Sequence, residues 1–242
     1  MLVQKENTIA EVVAMNFHTA KVFEDFGLDF CCGGKKTIQD ACREKGINPD
    51  IILSSLANIE TTNGSAAHFD KWELDFLIDY IVTNHHSYVL REITTIEHHL
   101  QKVASKHGEN HPEIYKVETL FNSLREELMV HMQKEEKMLF PYINKLVIAQ
   151  KNSLEFPPPP FGSAAGPVAV MENEHDNAGR VMHEINRITN SFNPPEDACT
   201  TFRTLYSEMA EFEKDLHVHI HLENNILFPK ALRLENSFSM NN

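Results

Sequence analysis

One sequence pattern occurs twice in the second half of the chain and most constrains its fold. Residues 131–141 and 219–229 both read H-x-x-x-E-x-x-x-L-F-P. A His and a Glu four residues apart in a helix lie one turn apart on the same face. The pairs His131 with Glu135 and His219 with Glu223 are therefore chelates for a metal ion. Two copies indicate two metal ions, or one site built from two halves.

The apolar periodicity around this repeat predicts long helices and no strands. Helices are predicted over about 71–106, 112–146, 168–189 and 195–232, with a proline-rich crossover loop over 152–167 that cannot be helical. Long helices with short connections within each pair predict an all-α protein, an antiparallel four-helix bundle. Each predicted hairpin also carries a lone His on its first helix, His86 in one half and His175 in the other.

Six candidate metal ligands fall where the helical periodicity places the core. They are His86, His131, Glu135, His175, His219 and Glu223. A single core His is usually a hydrogen-bonded structural residue, but six such residues in two matched halves favour a metal site. Buried carboxylates need a counter-charge, which metal cations supply. Imidazole and carboxylate without thiolate suit iron or manganese, and zinc less specifically.

The remaining His residues near these motifs are expected to lie outside the site. The choice of His86 over His85 rests on helical register alone. Glu136 lies on the next helical face and is expected not to contribute to metal binding. Six residues fall off the apolar stripes and are expected to be solvated: His85, His98, His99, His183, His217 and His221.

The first sixty residues are predicted to form a small helical module. The predicted domains are 1–60 for this module, 61–70 for a linker and 71–242 for the bundle. Helices are predicted over 9–26, 37–46 and 49–58, the first with a capping box. A loop containing Cys31, Cys32 and two glycines is expected to form a flexible, exposed turn. Its thiolates can accept iron or exchange disulfides, although adjacent cysteines also occur without a function. The other two cysteines, Cys42 and Cys199, are interpreted as structural.

Composition restricts the partners and the compartment. The net charge of −13 argues against nucleic acid and anionic membranes as partners. No stretch approaches the roughly 20 apolar residues of a membrane span, and the N-terminus does not read as a signal peptide. The four Cys do not form a typical disulfide framework. A cytoplasmic protein is therefore expected.

The motifs resemble those of a known family. The bundle resembles hemerythrin-like domains, and with its N-terminal module the chain resembles the di-iron proteins that repair iron–sulfur clusters, the "repair of iron centres" family. The motifs that carry this resemblance are residues 29–34, 131–136, 170–176 and 219–225. The resemblance implies two oxo- and carboxylate-bridged non-haem iron ions. It implies His86, His131, His175 and His219 as their ligands, and Glu135 and Glu223 as bridges.

The chain departs from the oxygen-carrying hemerythrins in two places. Those proteins have a second His one turn after the third-helix His, where this chain has Gly179, and H-x4-D on the last helix, where it has H-x3-E. Fewer His ligands leave open iron positions, which favours a reactive or iron-releasing site over an oxygen store.

The function that the resemblance implies is repair of iron–sulfur clusters damaged by nitric oxide or peroxide, by donating iron. Its partners would be damaged iron–sulfur proteins, and Cys31 and Cys32 would pass the iron on. The alternatives are a nitric oxide-reducing enzyme, a nitric oxide or oxygen sensor, and a passive iron reservoir. Whether the protein is an enzyme, and whether it forms a homodimer, stays open at this point.

Overall fold

The computed structural model describes residues 3–62, 68–156 and 162–239, with the side chains of residues 60–62 and 239 left out. Half of the predicted linker and the four consecutive prolines of the crossover loop lie outside these ranges. Within them the chain is helical and no strand forms; Thr8 and Thr37 make an isolated bridge. The all-α prediction is confirmed. None of the described helices is both long and apolar enough to cross a bilayer.

The N-terminal region contains four helices: α1 (Ile9–Met15), α2 (Ala20–Asp25), α3 (Ile38–Lys45) and α4 (Pro49–Thr62). Thr8 and Glu11 form the predicted capping box of α1. The prediction of one helix over 9–26 is wrong, because Asn16 adopts an extended conformation and its side chain accepts a hydrogen bond from the His18 N–H. This local hydrogen bond competes with the helix and ends α1.

Seven further helices follow: α5 (Leu74–Tyr80), α6 (Ser87–His107), α7 (Glu113–Lys134), α8 (Phe140–Lys151), α9 (Ala165–Ile188), α10 (Thr200–Leu222) and α11 (Phe228–Ser239). They correspond to the four long helices that the periodicity predicts. Helix α9 begins at Ala165, so the loop prediction is wrong at Pro167. A proline is tolerated there because the first turn of a helix needs no N–H donor.

Three π-helical turns interrupt the long helices, and the sequence did not predict them. They span Ile81–His86 between α5 and α6, Glu135–Leu139 between α7 and α8, and Glu223–Leu227 between α10 and α11. Each begins or ends at a candidate metal ligand. Such turns are rare and frequently lie at functional sites.

The chain forms two compact units. The bundle unit comprises Asp79–Lys145 and Ala165–His217. Within it α7 packs against α6 and α9. The ring of Phe212 on α10 contacts Tyr88 on α6 and Phe121 on α7. Four helical segments therefore share one apolar core, as a four-helix bundle requires.

The terminal unit comprises Met1–Ile78, Leu146–Ala164 and Val218–Asn242. It joins the N-terminal helices to the last part of the chain, because Asn225 donates hydrogen bonds to the loop after α2. Buried Glu235 accepts a hydrogen bond from the Ala164 N–H in the same unit. The predicted domain limits at residues 60 and 70 stay a prediction.

Candidate metal centre

The bundle unit brings four of the six predicted ligands together in its core. His86, His131, Glu135 and His175 are each at most 2% exposed. The Oε2 atom of Glu135 lies 3.4 Å from Nε2 of His86 and 3.4 Å from Nε2 of His131. The Nε2 atoms of His131 and His175 lie 2.9 Å apart. One carboxylate therefore lies between the imidazole of the turn before α6 and those of α7 and α9.

The convergence of these atoms suits a cation. The ligand atoms of His131, Glu135 and His175 lie within 4.8 Å of one another. Imidazole nitrogens and a carboxylate oxygen are ligands that iron, manganese and zinc accept. Glu135 opens the π-helical turn after α7, and His86 closes the turn before α6. These irregular turns set the register at which the two side chains enter the core.

The outer ring nitrogens of two of these His residues bind carboxylates. Nδ1 of His131 lies 2.9 Å from Oε2 of Glu174, and Nδ1 of His86 lies 2.8 Å from Oε1 of Glu136. Burial opposes ionisation of Glu174, but hydrogen bonds from Lys134 and His131 hold the pKa of its carboxyl below the usual value. A carboxylate at Nδ1 fixes the tautomer in which Nε2 carries the lone pair for a metal. Glu136 was expected to stay outside the site, and it contacts His86 instead.

The terminal unit contains the remaining two predicted ligands. Nε2 of His219 lies 3.0 Å from Oε1 of Glu223, one helical turn further on. Both side chains are at most 1% exposed. The prediction that His219 and Glu223 lie on the same face of one helix is therefore confirmed. Glu223 opens a π-helical turn, as Glu135 does in the other copy of the repeat.

Two His residues that were expected to be solvated are buried. Nδ1 of His85 lies 2.9 Å from Asp215, and the His85 ring packs edge-on against Tyr80. His221 is fully buried beside the rings of Phe17 and Phe30. Desolvation lowers the pKa of His221 to about 4, so its ring is neutral at pH 7. Helical periodicity could not show this, because the residues that cover His221 come from the N-terminal helices and loops.

The loop after α2 holds two thiols beside a carboxylate. The Sγ atoms of Cys31 and Cys32 lie 3.8 Å apart, and Cys31 Sγ donates a hydrogen bond to Asp29 Oδ1 at 3.1 Å. Cys31 is only 4% exposed, so the prediction of a fully exposed turn is wrong for this residue. The hydrogen bond with Cys32, burial and the charge of Asp29 raise the pKa of the Cys31 thiol well above its usual value. Cys42 is buried, whereas Cys199 is exposed.

The backbone of this loop is held from two sides. Asn225 Nδ2 donates to the carbonyl oxygens of Phe30 at 3.2 Å and Cys31 at 3.0 Å. A Cβ atom at Gly34 would come within 2.5 Å of the Phe30 carbonyl oxygen and 3.0 Å of the Ala10 Cβ. Glycine is therefore required at this position, because any side chain would displace the loop.

Comparison with known proteins gives two domain matches and a set of relatives. Residues 77–231 match the hemerythrin HHE cation-binding domain, and residues 5–60 match a domain of unknown function, DUF542. The chain is 34% identical over 231 residues to the iron–sulfur cluster repair protein YtfE of Musicola paradisiaca, which covers 96% of this chain and 98% of that protein.

Two further relatives carry the same name. The chain is 35% identical over 231 residues to YtfE of Pectobacterium atrosepticum, with 96% and 99% of the two chains covered. It is 36% identical over 215 residues to YtfE of Yersinia pseudotuberculosis, with 89% and 91% covered. The hemerythrin match spans all six predicted ligands and implies that the domain binds non-haem iron.

Proposed function

The chain belongs to the hemerythrin-containing family of iron–sulfur cluster repair proteins, and from that premise we propose that it restores damaged iron–sulfur clusters by donating iron. The clusters that it repairs are those damaged by nitrosative or oxidative stress. The observation that carries the proposal is the position of Glu135, whose Oε2 lies 3.4 Å from two imidazole nitrogens on different helices. A carboxylate in that position suits a bridge between two metal ions.

The proposed cofactor is a pair of non-haem iron ions held by His86, His131, Glu135, His175, His219 and Glu223. All six side chains are buried, and all six lie within the matched hemerythrin domain. Glu135 and Glu223 would supply the bridging carboxylates of an oxo-bridged pair. Bound there, the iron ions would supply open coordination positions for small ligands such as nitric oxide.

The buried carboxylates of the two repeat copies support bound cations. Glu135 and Glu223 are 0% exposed, and an ionised carboxylate in such a position is costly unless it is paired or binds a metal. Glu174 and Glu136 add negative charge at the outer nitrogens of His131 and His86. This second layer of carboxylates raises the basicity of the imidazoles and strengthens metal binding.

We further propose that Cys31 and Cys32 pass iron from the protein to its client, an iron–sulfur protein that has lost iron. The pair lies in a loop that contacts Asn225, two residues after the proposed ligand Glu223. A passive reservoir needs no thiol pair, so this loop favours repair over storage. Cytoplasmic location and a homodimer stay predictions, as does the absence of nucleic acid and membrane partners.

A reactivation assay tests the proposed function. An aconitase-type enzyme inactivated by nitric oxide is incubated with iron-loaded protein, and its recovered activity is followed. We expect the wild type to restore the client and the isosteric Glu135→Gln and Glu223→Gln variants to bind less iron and restore less. Glu126→Gln is the matched control, because Glu126 lies on α7 with its side chain 75% exposed.

Two outcomes would contradict repair with iron from the di-iron site. Recovery that is equal with wild type and with both Gln variants would mean that the di-iron site is not the iron source. Turnover of nitric oxide without any recovery of the client would favour the nitric oxide-reducing alternative.

A further inference from the structure

We propose that Asp29, Cys31 and Cys32 form a third metal site, separate from the six ligands of the bundle repeat, that takes one ferrous ion as cargo. This inference rests on the proposed function, because the site would bind the iron during its transfer to the client. The three residues offer two sulfur atoms and one carboxylate oxygen, all within 4.8 Å of one another.

The distance between the two sulfurs fits a single tetrahedral ion. The Sγ atoms lie 3.8 Å apart, and two thiolates at about 2.3 Å from one ion would then subtend an angle of about 110°, close to tetrahedral. Asp29 Oδ1 lies 3.1 Å from Cys31 Sγ, close enough to serve as a third ligand. Because the two sulfurs already have the required separation, binding needs little rearrangement of the loop.

The carboxylate of Asp29 is held in place by backbone donors. Oδ1 accepts hydrogen bonds from the N–H groups of Cys31 at 2.9 Å and Cys32 at 3.1 Å, and Oδ2 accepts one from Gly33 at 2.9 Å. These bonds fix the orientation of the carboxylate against the thiols, and they also fold the loop around it. Asp29 is thus pre-organised as a ligand, which lowers the entropy cost of binding an ion.

The donor set differs from that of the bundle but still accepts iron. Thiolates are soft ligands that suit zinc, cuprous copper and the iron of iron–sulfur proteins, whereas the bundle offers imidazole and carboxylate. Binding of a divalent ion displaces the two thiol protons to solvent, and the ion with two thiolates and one carboxylate carries a net charge of −1. The fourth position stays open to water or to a ligand from the client.

Two of the three residues give access to the site from solvent. Cys31 is buried, Cys32 is half-buried and Asp29 is exposed, so an ion can enter or leave past Asp29 and Cys32. On the buried side, Asn225 holds the carbonyl group of Cys31. The segment that carries Glu223 thus supports the loop directly, within the terminal unit.

Cobalt(II) is the probe for this site, because thiolate ligands give intense charge-transfer bands that His and Glu ligands do not. We expect reduced full-length protein, with iron already bound in the bundle, to develop such a band that saturates at one cobalt ion per chain. The Cys31→Ser and Cys32→Ser double variant should lose it. Asp29→Asn should weaken cobalt binding at the thiols by at least about tenfold, because losing a ligand carboxylate should cost no less than losing an outer-shell partner.

Matched controls separate this site from the rest of the protein. Asp25→Asn, which removes an exposed carboxylate paired with Lys21, should leave the band unchanged, as should Glu135→Gln in the bundle. Cys199→Ser should also leave it unchanged; Cys199 Sγ lies 3.2 Å from His107 Nε2 and is the competing thiol. A band that disappears with Cys199→Ser, a wild type without any band, or equal affinity in Asp29→Asn and wild type would overturn the proposal.

The cobalt result and the repair assay can fail independently. A band that needs all three residues, in a protein that restores no client, would retain the metal site and reject the repair function. Full repair by a protein without the band would reject this site and retain the repair function.

Discussion

Nδ1 of His131 lies 2.9 Å from Oε2 of Glu174, and this contact determines which nitrogen of the His131 ring faces the proposed irons. Glu174 in turn accepts a hydrogen bond from Lys134, which neutralises part of its charge. The chain Lys134–Glu174–His131 therefore runs from the half-exposed edge of α7 to the buried core. His86 and Glu136 make the corresponding contact on the other side of Glu135.

The first prediction concerns Glu174. Replacing it with Gln removes the negative charge at Nδ1 of His131, so the Nε2 lone pair becomes a weaker iron ligand. We expect iron affinity to fall by about 10- to 100-fold, the usual effect of losing such a carboxylate. Competition with a chelator of known affinity measures the change. Glu184→Gln is the control on the same helix, since Glu184 binds Arg187 at the surface; equal losses in both variants would refute the role of Glu174.

The second prediction concerns Glu136, where structure and sequence disagree. Helical register placed Glu136 on the next face with no role, but its carboxylate lies 2.8 Å from Nδ1 of His86. Glu136→Gln should therefore lower iron affinity, by less than Glu174→Gln because the Glu136 side chain is 41% exposed and more screened by solvent. Exposed Glu126→Gln again serves as the control. An unchanged affinity in Glu136→Gln would support the sequence-based expectation over the structural one.

The bundle and its ligand candidates were predictable because their signal is local. His131 with Glu135, and His219 with Glu223, are i,i+4 pairs inside apolar stripes, and burial of both pairs follows from helical geometry alone. The same periodicity could not predict the π-helical turns at His86, Glu135 and Glu223. An extra residue in one helical turn leaves no distinct pattern in the sequence.

Contacts between distant segments account for the other errors. His221 was expected to be solvated, but Phe17 and Phe30 cover it. Cys31 was expected on an exposed turn, but Asn225, far along the chain, holds its carbonyl group. Neither contact has a local sequence signal, because each depends on how the N-terminal loop packs within the terminal unit.

The third prediction concerns the pKa of His111 and the pH dependence of stability that follows from it. His111 lies just after the C-terminal end of α6. Hydrogen bonds with Asp197 and then Glu113 raise the pKa of His111 above its ordinary value of 6.5. A base with a raised folded-state pKa contributes stability below its unfolded pKa and loses that contribution as pH rises through the folded value. Asp197→Asn should return the His111 pKa towards 6.5 more than Glu113→Gln does, as NMR titration of the ring would show. The opposite order would contradict the geometry, in which Asp197 contacts Nε2 at 3.0 Å.

The fourth prediction concerns Asn225, which holds the thiol loop. Its side-chain amide donates to the carbonyl oxygens of Phe30 and Cys31, and Asn225→Ala leaves both partly buried acceptors without this donor. Loss of such a partner costs about 1–3 kcal/mol, so the loop should open more often. Because Cys31 is buried in the closed loop, its alkylation rate should rise by roughly tenfold or more, about the ratio that 1.4 kcal/mol gives.

Mass spectrometry of the reduced protein after timed exposure to iodoacetamide measures this rate at Cys31, and Cys199, which is exposed in either case, provides the internal reference. Asn84→Ala is the control, since Asn84 donates to the Tyr80 carbonyl within its own helical segment. An unchanged Cys31 rate in Asn225→Ala, or an equal rise in Asn84→Ala, would show that Asn225 does not hold the loop closed.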